Sequence, residues 1–260
     1  MQVPDPLIEL LRPAHFRGKA RFLNLLTVPT GVRSARIFGA RFELDLSEFI
    51  QRQVYLGTFE PRETSLVKGY LKPGMTFIDV GANIGYYTAL GASLVGAQGR
   101  VVAFEPSAYA FERLSAMTSK SELMQVTAIH AGVSDAAGSL KLYLGVGSNN
   151  HTPTMVPHGN TSESIVRVVP LDEEATRLGI ERIDLIKIDV EGYEFKVLSG
   201  ATRLLRERRI GAILCEFNEM WLRRAGSSLE ALEALILRAG MVEVGIRPAS
   251  AFDNRFFRLG

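Results

Sequence analysis

Residues Gly74 to Tyr87 read GMTFIDVGANIGYY. An apolar run, Thr76-Phe77-Ile78, leads into Asp79, then Gly81 and Gly85, and then a helix-like segment. That succession spells a strand, a tight turn and a helix N-terminus in a nucleotide-binding α/β unit. The ligand is narrowed by what the turn lacks. A P-loop needs Gly-x-x-x-x-Gly-Lys-Ser/Thr, and no Gly-Lys-Ser/Thr occurs in the chain. The dinucleotide fingerprint needs Gly-x-Gly-x-x-Gly, so that three backbones can approach a pyrophosphate and the next helix. From Gly81 the chain runs Gly-Ala-Asn-Ile-Gly, without that spacing. The dinucleotide reading is weakened and stays open. Asn83 suits a turn that needs positive φ, because Asn enters the left-handed region more readily than most residues.

Outward from this turn, strand-like and helix-like patterns alternate. Strands are expected at 76–80, 100–104, 125–130, 183–188 and 210–217, with helices at 86–95, 108–118, 195–208 and 229–239. Apolar strands alternating with helices call for an α/β fold, a doubly wound, mostly parallel sheet covered on both faces. Two closing strands, 241–246 and 255–259, are joined too closely for a crossover helix, which makes them an antiparallel pair. Residues 1–72 read as an N-terminal extension, with a hairpin around Gly39 and a polar helical stretch. Residues 73–260 form the main domain, interrupted by a loop insertion at about 145–164. That loop is longer than a connection needs, and long loops in compact domains often touch substrate.

At 260 residues and 47% hydrophobic content, the chain can bury a full core. Its net charge of +2 gives no argument for a nucleic-acid partner. Seven basic residues and no acidic one lie between Leu10 and Phe42 (Arg12, Arg17, Lys19, Arg21, Arg33, Arg36, Arg41). They read as a solvated face or as a contact for an anionic acceptor or a membrane surface. The one cysteine, Cys215, sits in an apolar run and reads as a buried small hydrophobe. With no signal-like start and no apolar run of membrane-spanning length, a cytoplasmic location without a transmembrane segment is the default.

Candidate chemistry gathers at strand ends. Glu105 lies twenty positions after Gly85, at the end of the second strand. There a doubly wound fold grips ribose hydroxyls, because a carboxylate accepts from both. The strand Ile183–Ile188 runs into Asp189, Glu191 and Glu194, and the next strand ends at Glu216. Ligands sit outside such carboxyl ends, so Asp189, Glu191 and Glu216 are placed to converge on one crevice. Glu191 and Glu194 could equally complement the next helix N-terminus. Clustered oxygens suit a divalent cation, but no metal-ligand spacing stands out, and a metal is not favoured.

GMTFIDVGANIGYYT, GRVVAFEP, AGVSDAAG, VPLDE and IDLIKIDVEGYEFKVLSGA occur here in the order seen in the FkbM-like family of S-adenosylmethionine-dependent methyltransferases. Upstream, Gly57-Thr58-Phe59-Glu60 is similar to that family's Gly-x-x-Glu element. The resemblance spans roughly Gly57 to Glu216 and implies a Rossmann-like class I methyltransferase fold. It implies that Asp79, Gly81, Ala82, Asn83 and Gly85 hold the methionine part of S-adenosylmethionine, a cofactor without a pyrophosphate. Glu105 with Pro106 would take the ribose, Gly132 and Val133 would face the adenine, and Asp189 would sit beside the sulfonium. The implied reaction is methylation of a hydroxyl on a small molecule, sugar or glycan.

Such a displacement needs the acceptor held in line with the methyl group and a group to take its proton. Asp189 is the first candidate base, followed by Glu191, Glu216 and His151. His158 rates lower, and His130 reads as a packing residue. Two other classes stand beside this reading, a nicotinamide-dependent oxidoreductase and a methyltransferase-like binding module without chemistry. The missing dinucleotide spacing speaks against the first, and the full set of site residues against the second.

Overall fold

The protein is described from a computed structural model that covers residues 8–9, 11–12, 30–145, 154–157, 161–245 and 252–260. The hairpin expected around Gly39 is formed by β1 (Val32–Ile37) and β2 (Ala40–Asp45). Ile37 pairs with Ala40 across a two-residue loop, and both Phe38 (φ 52°) and Gly39 (φ 84°) are left-handed. That is the turn whose twist matches a hairpin. Helices α1 (Phe49–Leu56) and α2 (Pro61–Tyr70) follow, the second with proline in its first turn.

The turn of Gly74–Tyr87 joins β3 (Thr76–Val80) to α3 (Tyr86–Val95). Beyond it come β4 (Arg100–Phe104), α4 (Ala108–Lys120) and β5 (Val126–Ile129). A three-stranded side sheet is built from β6 (Gly132–Val133), β7 (Gly138–Gly145) and β8 (Thr161–Val169), with β8 central. The chain re-enters the main sheet through α5 (Leu171–Arg177), β9 (Ile183–Ile188), α6 (Glu194–Ser199), α7 (Thr202–Arg206) and β10 (Ile210–Asn218). It closes with α8 (Glu219–Arg224), α9 (Leu229–Arg238), β11 (Met241–Glu243) and β12 (Phe252–Leu259).

The main sheet has the order β5-β4-β3-β9-β10-β12-β11. The strands from β5 to β10 are parallel, and β12 runs against both of its neighbours. The two closing strands are therefore antiparallel to each other, as expected, but they do not follow in sheet order. β12 is inserted between β10 and β11. Apolar runs are continuous because both faces are covered. Phe77, Leu185 and Leu214 point into a core shared with the hairpin, α1 and α3, while Ile78, Ile186 and Ile213 point to the opposite layer. Chain order reverses at β3, whose two neighbours are β4 and β9, and that is where an open α/β sheet leaves a crevice.

Some boundaries differ from the sequence reading. The helix expected over 195–208 is two helices, because the carbonyl of Gly200 leaves the helical ladder and accepts from the Asp172 N–H (2.9 Å). The Asp172 carboxylate then caps α7, accepting from the N–H groups of Arg203 (2.7 Å) and Leu204 (3.0 Å). β11 stops at Glu243 and β12 begins at Phe252, where pairing with β10 starts opposite Asn218. Cys215 is fully buried in β10. Among the described residues no helix is long and apolar enough to cross a membrane.

Candidate active site

The turn after β3 is wedged between two strand ends. The N–H groups of Gly81 and Ala82 both donate to the carbonyl of Phe104 at the end of β4 (3.0 Å each). On the other side, Asp189 donates its N–H to the carbonyl of Val80 (3.1 Å). Gly81 has φ 80°, and a Cβ there would overlap the carbonyl oxygen of Asp189. Asn83 has φ 51°, the left-handed conformation its sequence position suggests. Gly85 (φ 93°) turns the chain into α3, packed against Leu114 and Met117 rather than lining the cavity.

A cavity opens above this turn. Asp79, Gly81, Ala82 and Asn83 form one side of it, with Glu105 and Pro106 beside them. Gly132 and Val133 line it too, as do Asp189, Glu191 and Glu216. The structure thus gathers these sequence candidates in one place. Ser134 and Asp135 do not line it; Asp135 pairs with Lys196 at 2.7 Å. His130 is held by the carbonyl of Pro106 (3.1 Å) and stacks on Phe111, so it packs rather than faces the cavity. His151 and His158 lie outside the described residues. The described piece of the long loop, Thr154 to Pro157, does reach the site: the Thr154 hydroxyl donates to the carbonyl of Glu191 (2.8 Å).

Each carboxylate is held differently. Asp79 is buried inside β3 and accepts from the Thr88 hydroxyl (2.7 Å); burial raises its pKa, and Lys187 opposes that rise. Both oxygens of Glu105 are engaged by backbone, one by Asn83 N–H and the other by Ser107 N–H, at 2.8 Å each. Burial nevertheless pushes Glu105 up to about 7, with Asp79 and Asp189 adding to the rise. Glu191, in the left-handed conformation (φ 51°), is pushed up to about 8 by burial and by the charge of Asp189. Glu216 rises furthest, to about 11, from burial and from Asp189, Glu191 and Glu194. Glu194 does not line the cavity; its carboxylate accepts from Val190 and Gly192 N–H groups, which holds the turn before α6.

Among the lining residues, Lys187, Tyr87 and Glu60 were given no role by the sequence reading. Lys187 is 3% exposed, and its ammonium donates to Asp189 Oδ2 at 2.7 Å and lies 4.5 Å from the centre of the Tyr87 ring. Burial lowers its pKa, but Asp189, Glu60 and Asp79 more than reverse this and raise it. Glu60 reaches in from the turn before α2, left-handed at φ 38°, and accepts from the Tyr87 hydroxyl at 2.6 Å. A lysine inside a buried strand is itself a signal, since an unpaired charge there is costly. So is strain: of the six described non-glycine residues with positive φ, Glu60, Asn83 and Glu191 all line this cavity.

Charge in the lining is one-sided. Among the described residues, Glu60, Asp79, Glu105, Asp189, Glu191 and Glu216 face a single cation, Lys187. None of the described basic residues of the N-terminal stretch (Arg12, Arg33, Arg36, Arg41) lines it. The arrangement suits a cationic ligand with hydroxyl groups, and it can accept protons.

The family model described as the methyltransferase FkbM domain matches residues 79–242. Methyltransferase sdnD of Sordaria araneosa is 31% identical over 153 residues, which cover 47% of this chain and 59% of that protein. Hexuronic acid methyltransferase AglP of Haloferax volcanii is 27% identical over 128 residues, 49% of this chain and 50% of that one. The chain thus spans about half the length of the curated relatives it matches. A crystal structure of methyltransferase FkbM from Methylobacillus flagellatus aligns with a TM-score of 0.49 at 17% identity, over 80% of this chain and 52% of that one. Since the family model covers well over half of its residues, the chain belongs to the FkbM methyltransferase family.

Proposed function

We propose that the protein is an S-adenosylmethionine-dependent O-methyltransferase acting on a hydroxyl of a sugar or other small polyol. The observation that carries this reading is the acidic cavity at the β3–α3 turn, with Glu105 at its edge. Glu105 fits a ribose: each oxygen has one backbone donor and keeps a lone pair for a cofactor hydroxyl. Six lining carboxylates favour a positively charged sulfur over a pyrophosphate, which also speaks against a dinucleotide. Gly132 and Val133 offer backbone to the adenine.

Bound S-adenosylmethionine supplies a methyl group that leaves with the sulfur–carbon electron pair retained on sulfur. The chain's own part is to hold the acceptor oxygen in line and to receive its proton. Asp189 is committed to Lys187 through Oδ2; Glu191, raised to about 8, exchanges a proton close to neutral pH, whereas Glu216, raised to about 11, keeps its own. Hydroxyl-rich acceptors donate well to such a wall. The hexuronic acid methyltransferase among the relatives supports a sugar acceptor.

Calorimetric titration with S-adenosylmethionine, S-adenosylhomocysteine and NAD tests the cofactor. Both adenosyl ligands should bind with micromolar affinity and NAD should not, and Glu105→Ala should abolish binding. Heat from NAD alone would replace this reading with an oxidoreductase. The pH dependence has a definite sign. The ionised Glu105 accepts both ribose hydroxyls, and in the unliganded protein it gains its proton near pH 7. S-adenosylhomocysteine affinity should therefore fall below pH 7, by about tenfold per unit for one proton. Glu105→Gln should bind weakly with no such slope, and an unchanged slope in that variant would assign the titration elsewhere.

A further inference from the structure

We infer that Asp189, Glu191 and Glu216 form a binding site for one hard divalent cation, which holds the acceptor's oxygen. The site stands on its own geometry, while the role given to the ion rests on the methyltransferase reading above.

The three side chains arrive from different places. β9 and β10 are parallel neighbours with Ile188 beside Cys215, so the next residues, Asp189 and Glu216, emerge side by side at the strand ends. The left-handed turn at Glu191 brings a third carboxylate to the same point. One oxygen from each lies within 4.8 Å of the others. Three oxygens no more than 4.8 Å apart lie within about 2.8 Å of a common centre, close to calcium's bonds of about 2.3–2.6 Å and somewhat beyond magnesium's of about 2.0–2.1 Å. Small side-chain rotations would close them on one ion.

A second observation is independent of that clustering. Glu216 is 4% exposed, and its Oε2 has no hydrogen-bond partner although the side chain faces the cavity. A buried carboxylate oxygen without a donor is expensive and calls for an explanation. Protein cations do not supply one. Lys187 is held by Asp189 Oδ2 and the Tyr87 ring, and no described residue forms an ion pair with Glu191 or Glu216. A cation would satisfy the orphaned oxygen, bind Glu191 and use the Asp189 oxygen that Lys187 leaves free. Three protein oxygens leave positions open in a six-coordinate shell. An acceptor hydroxyl, or two neighbouring ones on a sugar, would fill them at the mouth of the cofactor cavity. The ion draws electrons from the bound oxygen and makes its proton easier to lose.

The test is titration of the full chain with Mn2+, followed by electron paramagnetic resonance of the free ion and competed with Mg2+ and Ca2+. S-adenosylhomocysteine binding is measured separately on the same samples. One Mn2+ per chain is expected, weakened at least tenfold in Glu216→Gln and in Glu191→Gln, with S-adenosylhomocysteine binding retained. Glu191→Gln changes a partly exposed side chain, which keeps the test valid if the buried variant does not fold. Absence of saturable Mn2+ binding in protein that binds S-adenosylhomocysteine would overturn the site, as would equal Mn2+ affinity in the variants. Mn2+ binding without S-adenosylhomocysteine binding would uphold the site and refute the cofactor reading instead.

Discussion

Gly81→Ala should lose S-adenosylhomocysteine binding altogether and unfold at a markedly lower temperature than the parent protein. Two costs act at this position. An L-residue at φ 80° pays for a left-handed backbone, and the new methyl would overlap the carbonyl oxygen of Asp189. That oxygen is main chain at the end of β9, so no rotamer change can relieve the overlap. Relief requires the β3 turn and β9 to separate, which strains the Asp189–Val80 and Gly81–Phe104 hydrogen bonds. A loss of about 3 kcal/mol or more is expected, equivalent to a fall in Tm of roughly 6–12 °C for a chain of this size. Differential scanning calorimetry with and without ligand reads both effects. A variant that keeps the parental Tm and affinity would show that turn and strand are not held this closely.

Lys187→Met should be as damaging for a different reason. The methionine preserves most of the volume but removes the one cation that the described residues set among six carboxylates. Deleting one partner of a buried ion pair costs about 3–5 kcal/mol, because the other charge stays behind without compensation. Here Asp189 loses its 2.7 Å partner, and Glu60 and Asp79 lose a nearby positive charge. A drop in Tm of roughly 6–20 °C is expected. Adding Asp189→Asn to Lys187→Met should recover part of it, since the stranded charge is then gone. If the double variant is instead as unstable as the two single losses added together, Lys187 and Asp189 are not coupled.

These two positions mark how far the sequence could be read. Gly81 stands out in a line of text, because a glycine just past an apolar strand announces a turn. The strands were legible for the same local reason: residues 76–80 and 183–188 are buried on both faces and so are mostly apolar, with Asp79 and Lys187 as the buried charged exceptions. The convergence of Asp189 and Glu216 also followed from sequence, because parallel strands that end together bring their next residues together. Lys187 was visible only as part of a motif; its value depends on Tyr87 and Glu60, which come from two other elements. The break at Gly200 was out of reach, since the carbonyl that leaves the helix does so to meet Asp172 from another helix. Glu60 was noticed as a pattern without a role, because nothing in its neighbourhood along the chain places it opposite β9.

The insertion of β12 between β10 and β11 bears on how the site is reached during folding. β10 carries Glu216, and the residue beside it across the antiparallel edge is Asn254. Until residues 252–259 arrive, that edge of β10 is open, and β11 has no strand to join although it comes earlier in the chain. The edge β11 must leave free is one strand wide, and a collapsed chain in which β11 docks directly on β10 would have to come apart again. β11 and β12 pair with each other, Met241 opposite Leu259, so they can dock as one hairpin. The turn at Gly81 is braced by β4 and β9 and needs nothing from β12. Glu216 gains its neighbour Asn254 only when β12 docks, so loosening the β11–β12 pair should disturb the wall bearing Glu216 and leave the turn intact.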